Sequence, residues 1–343
     1  MVKLHKLLAT ALSLLLLAAC AAPTPPPPAE TREPWETAEI FLSFSTAQNL
    51  SEERLTALQT SLSEATEGRI YCNAYPDGSM GNDAELLQAV QNGGLSVVQS
   101  STSVQVSAVP ELALLDIPYL FSDPESCTEL LNGPLLDFFQ PYYNESGLQL
   151  LGWNCMSFRQ LTSSVSVKTP SDLQRLNIRI LDNPYHQIYW SALGAQPQHL
   201  EFSSLFYAIQ QGVVNAQENT AGTATVMRFY QVHDYLTLID YLPFINAVVM
   251  NKECYDALSA KEQQVVTQIF PGHTITGGTP ITQDILSNYF TEVSTPSGEL
   301  KRALKKGADA VREALAEDLG QDILDRFYTV LEDWSLQKAQ TTT

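Results

Sequence analysis

The sequence predicts an α/β fold in which mostly parallel strands alternate with helices. Two observations carry this prediction. Between Ile40 and Gln99, short apolar runs that suit buried strands alternate with segments whose leucines recur at helical spacing. The same strand–helix–strand rhythm recurs between Asn177 and Asn219. Such alternation is typical of parallel sheets that carry helices on both faces.

The first alternating segment ends in a run of hydroxyl side chains. Its predicted elements are, in order, a strand over 40–44, a helix capped by Ser51, a strand over 69–74, a helix from Asp83 and a strand over 95–99. Ser101 follows the last strand, at the edge where ligands bind in open α/β sheets. This hydroxyl either faces a ligand or belongs to an ordinary loop or helix cap.

The second segment places an arginine directly before a helix. Arg179 stands between Ile178 and Ile180, so the arginine and the isoleucines point to opposite faces of a strand. Residues 182–184 are Asp-Asn-Pro and predict a helix N-cap with proline in the first turn. Arg179 therefore precedes a helix N-terminus, where free N–H groups favour an anion.

A second helix, capped by Ser203 or Ser204, leads to a strand and then to Asn219. With Arg159 upstream, Arg179 and Asn219 form a candidate anion site, because each lies where a predicted element begins or ends. On spacing alone, an arginine on a strand more often forms a surface salt bridge, and an asparagine after a strand is more often a turn residue.

Several segments together resemble one protein family. They lie at 75–81, 115–121, 152–162, 169–179, 193–197 and 208–219, and include Leu-Asn-Ile-Arg at 176–179 and Gln-Glu-Asn at 217–219. Their order and spacing over residues 39–268 resemble the extracytoplasmic solute-binding proteins of TRAP (tripartite ATP-independent periplasmic) transporters, of the dicarboxylate-binding type.

The resemblance implies roles for individual residues. Arg179 should form a salt bridge with a substrate carboxylate, with Arg159 and Asn219 as supporting contacts. Phe202 should pack on the ligand. The chain departs from the family pattern at positions 157, 204, 206, 215 and 216, so the resemblance leaves the substrate open.

Three further residues are candidates with two interpretations each. Phe206 either forms an apolar side of the ligand site or packs in the core. Asp182 and Glu218 either recognise a hydroxyl or amine of the ligand, or cap a helix and brace a hinge.

The resemblance also implies a clamp of two lobes, each a mixed, mostly parallel sheet flanked by helices, with the ligand cleft between them. Lobe I would comprise residues 38–156 and about 243–284, and lobe II residues 157–242 and about 285–338. A helix over 251–270 meets Pro271, Gly272, Gly277, Gly278 and Pro280, which should break or kink it. Two amphipathic helices are predicted to end the chain.

The N-terminus resembles a bacterial lipoprotein signal. Residues 1–20 combine lysines, a short apolar run and Leu-Ala-Ala before Cys20, which predicts cleavage and lipidation of Cys20. The alternative is an ordinary signal peptide with a chance cysteine. Residues 21–37 are proline-rich and predict an extended tether. The protein is therefore expected to be extracytoplasmic, in the periplasm or at the cell surface, and anchored to a membrane.

The composition and the motifs of the sequence argue against several classes of function. The net charge of −19 argues against nucleic acid as a partner, and it requires that arginines placed locally bind any anionic ligand. No motif for a metal, a cofactor or a nucleophile–base pair is present. Four cysteines besides Cys20 are either free thiols or form up to two disulfides: Cys72, Cys127, Cys155 and Cys254.

These observations predict a solute-binding protein that captures a small organic acid and delivers it to separate TRAP-type permease subunits driven by an ion gradient. A sensor of the same fold that feeds a membrane receptor is the alternative, and a secreted enzyme is a third option. Which acid is bound, and the oligomeric state, are not predicted.

Overall fold

Two β-sheets that share one long strand form the frame of the protein. The computed structural model describes residues 34–48, 50–274 and 282–341. Its strands are β1 (Ile40–Thr46), β2 (Ile70–Tyr75), β3 (Val97–Ser101), β4 (Leu148–Ser163), β5 (Asn177–Ile180), β6 (Gln196–His199), β7 (Ala216–Thr220), β8 (Tyr235–Thr237), β9 (Pro243–Asn251) and β10 (Glu292–Ser294).

Helices cover both sheets. They are α1 (Glu52–Ala65), α2 (Asp83–Gln91), α3 (Thr102–Gln105), α4 (Pro124–Leu131), α5 (Pro134–Glu145), α6 (Pro170–Leu173), α7 (Pro184–Ala192), α8 (Leu205–Gln210), α9 (Ala221–Val226), α10 (Lys252–Asp256), α11 (Ala260–Thr274), α12 (Gln283–Leu286), α13 (Gly298–Leu319) and α14 (Gln321–Thr341). Within the described ranges, none of them is both long and apolar enough to cross a membrane.

Both sheets are mixed. In the first, the order is β2-β1-β3-β9-β4, with β1 parallel to β2 and β3 and with β9 antiparallel to its neighbours. In the second, β5 runs parallel to β6 and β7, whereas β7 and β8 run antiparallel to β4. Strand β10 pairs with β8 in parallel. This arrangement of sheets and helices confirms the predicted α/β class.

The long strand β4 passes from one sheet to the other. It pairs with β9 up to Phe158, and from Arg159 onward it pairs with β7. Arg159 is thus the first residue of β4 that belongs to the second sheet. The change of partner lies next to the boundary predicted between the lobes, while the full division into lobes stays a prediction.

Local sequence patterns explain most elements. Ser51 caps α1 and Asn183 caps α7, each by accepting backbone N–H bonds with its side-chain oxygen. Proline follows Asn183 at the first position of α7, as predicted. The predicted cap of α8 is wrong. Ser204 stands at that position, but its hydroxyl donates to the carbonyl oxygen of Glu201 and makes no capping bond.

The C-terminal helices α13 and α14 confirm the predicted amphipathic pair. The apolar stripe of α13 is buried, and the helix crosses α7 at Gly307. A Cβ at Gly307 would lie 2.9 Å from Leu193 Cδ2 and 3.0 Å from Tyr189 Cε2, so glycine allows the close approach of the two helices. The hydroxyl of Tyr189 also donates to the carbonyl oxygen of Leu304 over 3.1 Å.

The break predicted at Pro271 does not occur, because α11 continues to Thr274 with Pro271 inside it. The proline ring packs against β4 at Gly152, where an added Cβ would lie 2.7 Å from Pro271 Cγ. The helix therefore places its proline where the neighbouring strand leaves room for the ring. Gly277, Gly278 and Pro280 lie outside the described residues.

The four cysteines between residues 72 and 254 are free thiols. Cys72, Cys127 and Cys155 are buried, and Cys254 is partly exposed. Burial raises the pKa of Cys72 to about 12. The structure therefore agrees with the interpretation of these cysteines as free thiols.

We expect Gly152→Ala to lower the free energy of unfolding by about 1–3 kcal/mol, because the rigid proline ring cannot yield to the added methyl group. Urea denaturation measures the change. The matched control is Gly272→Ala, one residue beyond the proline, where an added Cβ meets nothing within 4 Å. Alanine should stabilise that helical position by up to about 1 kcal/mol. Equal stability of Gly152→Ala and the wild type would contradict the packing role of Gly152.

Candidate ligand-binding site

Arg179 is a buried arginine that is only partly hydrogen bonded. It lies in the middle of β5, and its side chain is 2% exposed. The Nε–H group donates to the carbonyl oxygen of Leu200 over 2.8 Å. Nη1 is buried and has no hydrogen-bond partner in the part of the chain that the structure describes. The guanidinium therefore keeps a donor available for a ligand.

The electrostatic surroundings of Arg179 leave its charge incompletely balanced. Burial, together with the nearby charge of Arg159, lowers the pKa of Arg179 to about 10 against the opposing effect of Glu218. The guanidinium carbon lies 5.9 Å from the centre of the Phe202 ring. An anion bound here would both supply the missing hydrogen-bond acceptor and stabilise the charged arginine.

Arg159, by contrast, already has a carboxylate partner. Its Nε pairs with Oε2 of Glu218, and Nη2 donates to Oε1 over 3.1 Å and to the Glu218 carbonyl oxygen over 3.0 Å. Burial alone would raise the pKa of Glu218, but Arg159 and His186 lower it well below its usual value. The ion pair is neutral as a unit. A ligand contact from Arg159 stays a prediction, and so does one from Glu218.

A buried histidine links this ion pair to Asp116, in the segment that precedes β4. His186, in α7, has Nδ1 at 3.5 Å from Glu218 Oε1 and Nε2 at 3.7 Å from Asp116 Oδ1. Burial lowers the pKa of His186, but Asp116 and Glu218 outweigh that effect and raise it to about 9. The imidazolium is therefore favoured at neutral pH, between two carboxylates.

Asp116 also accepts hydrogen bonds from one residue that precedes β4 in the sequence and from one that follows it. Ser103 donates to its Oδ1 over 2.6 Å, and Asn183 donates to its Oδ2 over 2.7 Å. Asn183 donates to the Ser103 carbonyl oxygen as well. The residue that caps α7 thus ties the N-terminus of that helix to the segment that precedes β4.

The other predicted residues occupy varied environments. Asn219 is 6% exposed, and its Oδ1 accepts from the backbone N–H of Thr220 over 2.9 Å. Ser101 is buried at the end of β3, where it takes the N-cap position of α3 without a capping hydrogen bond. Asp182 is exposed, and Asn183 rather than Asp182 caps α7.

The two aromatic candidates pack on a common ring. Phe206 stacks on Phe229 with ring centres 6.4 Å apart, and Phe202 meets the same ring edge-on at 6.3 Å. Phe202 is 37% exposed and also lies near Arg179, so it borders the site. The packing of Phe206 agrees with the core interpretation of that residue.

Sequence reasoning missed four charged or titratable residues of this region. Asp83 and Glu201 are close enough to Arg179 to influence its pKa, and Asp116 and His186 form the buried network. Asp83 was identified only as a helix start. No local pattern marks the other three, because their partners are distant in sequence. Over the described ranges, no cluster of histidine, cysteine and carboxylate side chains could hold a metal ion.

Two mixed sheets that meet at a long shared strand, with an incompletely paired arginine buried near the junction, are the frame of a solute-binding protein. Residues 42–318 match the family model described as bacterial extracellular solute-binding protein, family 7. The chain therefore belongs to this family, whose members are binding proteins of TRAP-type transport systems rather than enzymes.

Known relatives support the assignment. The ectoine/5-hydroxyectoine-binding periplasmic protein UehA of Ruegeria pomeroyi is 30% identical over 224 residues, which cover 63% of this chain and 66% of the relative. The C4-dicarboxylate-binding protein DctB of Bacillus subtilis is 30% identical over 208 residues, which cover 60% of this chain and 59% of the relative. The aligned part thus spans less than two thirds of either relative.

A solved structure shares the fold. The TRAP periplasmic solute-binding protein of Sulfurospirillum deleyianum, with bound succinate, superposes with a TM-score of 0.75 at 23% identity, over 85% of this chain and 99% of that chain. With the two sheets described above, this likeness confirms the predicted two-lobed fold.

We expect Glu218→Gln to lower the free energy of unfolding by about 3–5 kcal/mol, because Arg159 would remain buried without a counter-charge. Chemical denaturation at neutral pH measures the loss. Glu292→Gln is the control, since its ion pair with Lys168 at 3.1 Å is exposed and should contribute less than about 1 kcal/mol. Similar losses in the two variants would show that the buried ion pair stabilises the fold no more than the exposed one does.

Proposed function

We propose that the protein captures a small organic acid outside the cytoplasm and delivers it to TRAP-type permease subunits. The observation that carries the proposal is Arg179, a buried arginine whose Nη1 lacks a partner within the described residues. A carboxylate that binds there gains a charge-assisted hydrogen bond in a desolvated site. Arginine suits this role better than lysine because its planar group can form two parallel bonds.

The relatives support a small organic acid as the class of ligand, but they differ in the compound for which each is named. One is named for C4-dicarboxylates and another for ectoine and 5-hydroxyectoine, and a structure of the same fold holds succinate. Delivery to a permease rests on the family's link to TRAP transport. In this proposal Asn219 and Arg159 assist Arg179, and Phe202 packs on the ligand.

Ligand binding is proposed to favour contact between the lobes. Asn183 follows β5 closely and hydrogen bonds Asp116 and Ser103 across the protein. A ligand that touches both sides of the cleft would stabilise the arrangement in which these contacts form, and so shift an open–closed equilibrium.

We expect Arg179→Ala to weaken acid binding by about 2–5 kcal/mol, because the carboxylate would be buried without its partner. The wild type is first screened by thermal shift against small organic acids, where a ligand at a hundred times its Kd stabilises by about 2.7 kcal/mol. Calorimetry then compares the variants with the best acid.

Arg175→Ala is the matched control for Arg179. Arg175 lies four residues earlier, its side chain is 60% exposed, and it pairs only loosely with Asp172 at 3.4 Å. Its loss should leave the affinity unchanged. Unchanged affinity in Arg179→Ala would refute the arginine–carboxylate contact, and a screen without any binding acid would refute the proposed ligand class.

We also propose that Cys20 carries a lipid anchor, on the sequence pattern alone. Cys20→Ser should abolish fatty-acid labelling and move the protein from the membrane fraction to the soluble extracytoplasmic fraction. Cys254→Ser is the control, because Cys254 lies in the folded part and is partly exposed. Labelling that persists in Cys20→Ser would place the lipid elsewhere or exclude this anchor.

A further inference from the structure

The candidate site contains a second buried group without a partner, and its charge is opposite to that of Arg179. Oδ1 of Asp83, at the start of α2, is buried and accepts no hydrogen bond from the residues described. Burial, with a smaller contribution from the charge of Glu201, raises the pKa of Asp83 to about 6, although the charge of Arg179 opposes the rise. Asp83 and Arg179 are therefore close enough for their charges to interact.

Asp83 and Arg179 do not satisfy each other. Their unpartnered atoms, Oδ1 and Nη1, are both buried and both lack a hydrogen-bond partner among the described residues. Buried polar groups in proteins nearly always have partners, so such groups need a specific explanation. Two opposite ones at a single site are explained by a ligand that carries an acceptor for Arg179 and a donor for Asp83.

The charges around the site favour a cation at the second position. Arg159 is neutralised by Glu218, which leaves Arg179 as the unpaired positive charge near the ligand. Glu201 adds a second carboxylate within electrostatic reach of Asp83. Within the described ranges Glu201 forms an ion pair with His199, whose Nε2 lies 3.8 Å from Oε1, and both side chains are about half exposed. A dicarboxylate would place its second negative charge against these two carboxylates.

We infer that the ligand is a zwitterion: a monocarboxylate that Arg179 binds, with an ammonium or amidinium group at its other end that Asp83 binds and Glu201 supports. The inference rests on the proposed function, because it assigns the other end of the ligand that Arg179 holds. Asp83 comes from the first sheet's side of the molecule, whereas Arg179 and Glu201 come from the second. Such a ligand would bridge the two lobes.

The test compares ligands that match in length and differ only in the charge of one end. Malonate, succinate and glutarate are paired with β-alanine, γ-aminobutyrate and δ-aminovalerate, and with the corresponding hydroxy acids. Calorimetry with the full soluble chain gives each Kd. For at least one length, the amino acid should bind about tenfold or more tightly than the dicarboxylate, a difference of about 1.4 kcal/mol.

The variants separate this inference from the proposed function. Asp83→Asn should lower the affinity for the amino acid about tenfold or more. Its affinity for the hydroxy acid should be unchanged, and its affinity for the dicarboxylate should rise. Glu201→Gln should produce a smaller shift in the same direction, and Arg179→Ala should weaken all three classes. Asp137→Asn is the control, because it is an exposed aspartate in the first turn of another helix, α5.

Each outcome decides the matter. If acids bind through Arg179 but dicarboxylates bind as tightly as amino acids at every length, the zwitterion inference is wrong and the proposed function stands. The zwitterion inference is also wrong if Asp83→Asn binds all three classes of ligand with the affinities of the wild type. If no acid of any class binds the wild type, both the inference and the proposed function fail.

Discussion

The ion pair of Arg159 and Glu218 is the interaction on which the site depends. It is almost fully buried, and it lies where β4 leaves the first sheet and joins the second. Removing two charges from water is costly, and close pairing with further hydrogen bonds offsets that cost. Because Glu218 neutralises Arg159, the positive charge that remains for a ligand is concentrated on Arg179. The same pair thus lies within the second sheet, directly beside its junction with the first, and leaves Arg179 as the less balanced of the two arginines.

A chain of buried polar groups connects that ion pair to the segment that precedes β4. His186 lies between Glu218 and Asp116, and Asp116 accepts hydrogen bonds from Ser103 and Asn183. As a cation, His186 makes the set of four groups neutral, because Arg159 and His186 then offset Glu218 and Asp116. The helix α7, which Asn183 caps, therefore contacts both Glu218, through His186, and Asp116.

Features that depend on neighbouring residues were predictable from the sequence. The strand that carries Arg179 and the cap at Asn183 follow from alternation and from one Asn-Pro pair. The partner of Arg159 was not predictable, because it lies 59 residues away and depends on the register between β4 and β7. Pro271 is a second case in which contacts distant in sequence decide the local structure. Its local tendency to end a helix yields to packing against Gly152, which only the fold brings near.

The charge of the whole protein gives an independent reason to expect a ligand of low net charge. At a net charge of −19, the protein repels a dianion at long range about twice as strongly as a monoanion, and a zwitterion hardly at all. Salt screens this repulsion beyond roughly 8–10 Å, so it affects approach more than the final contact. Buried charges are screened much less, so within the site Arg179 and Asp83 have the larger influence, and the half-exposed Glu201 contributes less. The long-range field and the local arrangement of charges therefore select for the same kind of molecule, one whose negative end meets Arg179 and whose positive end offsets the two carboxylates.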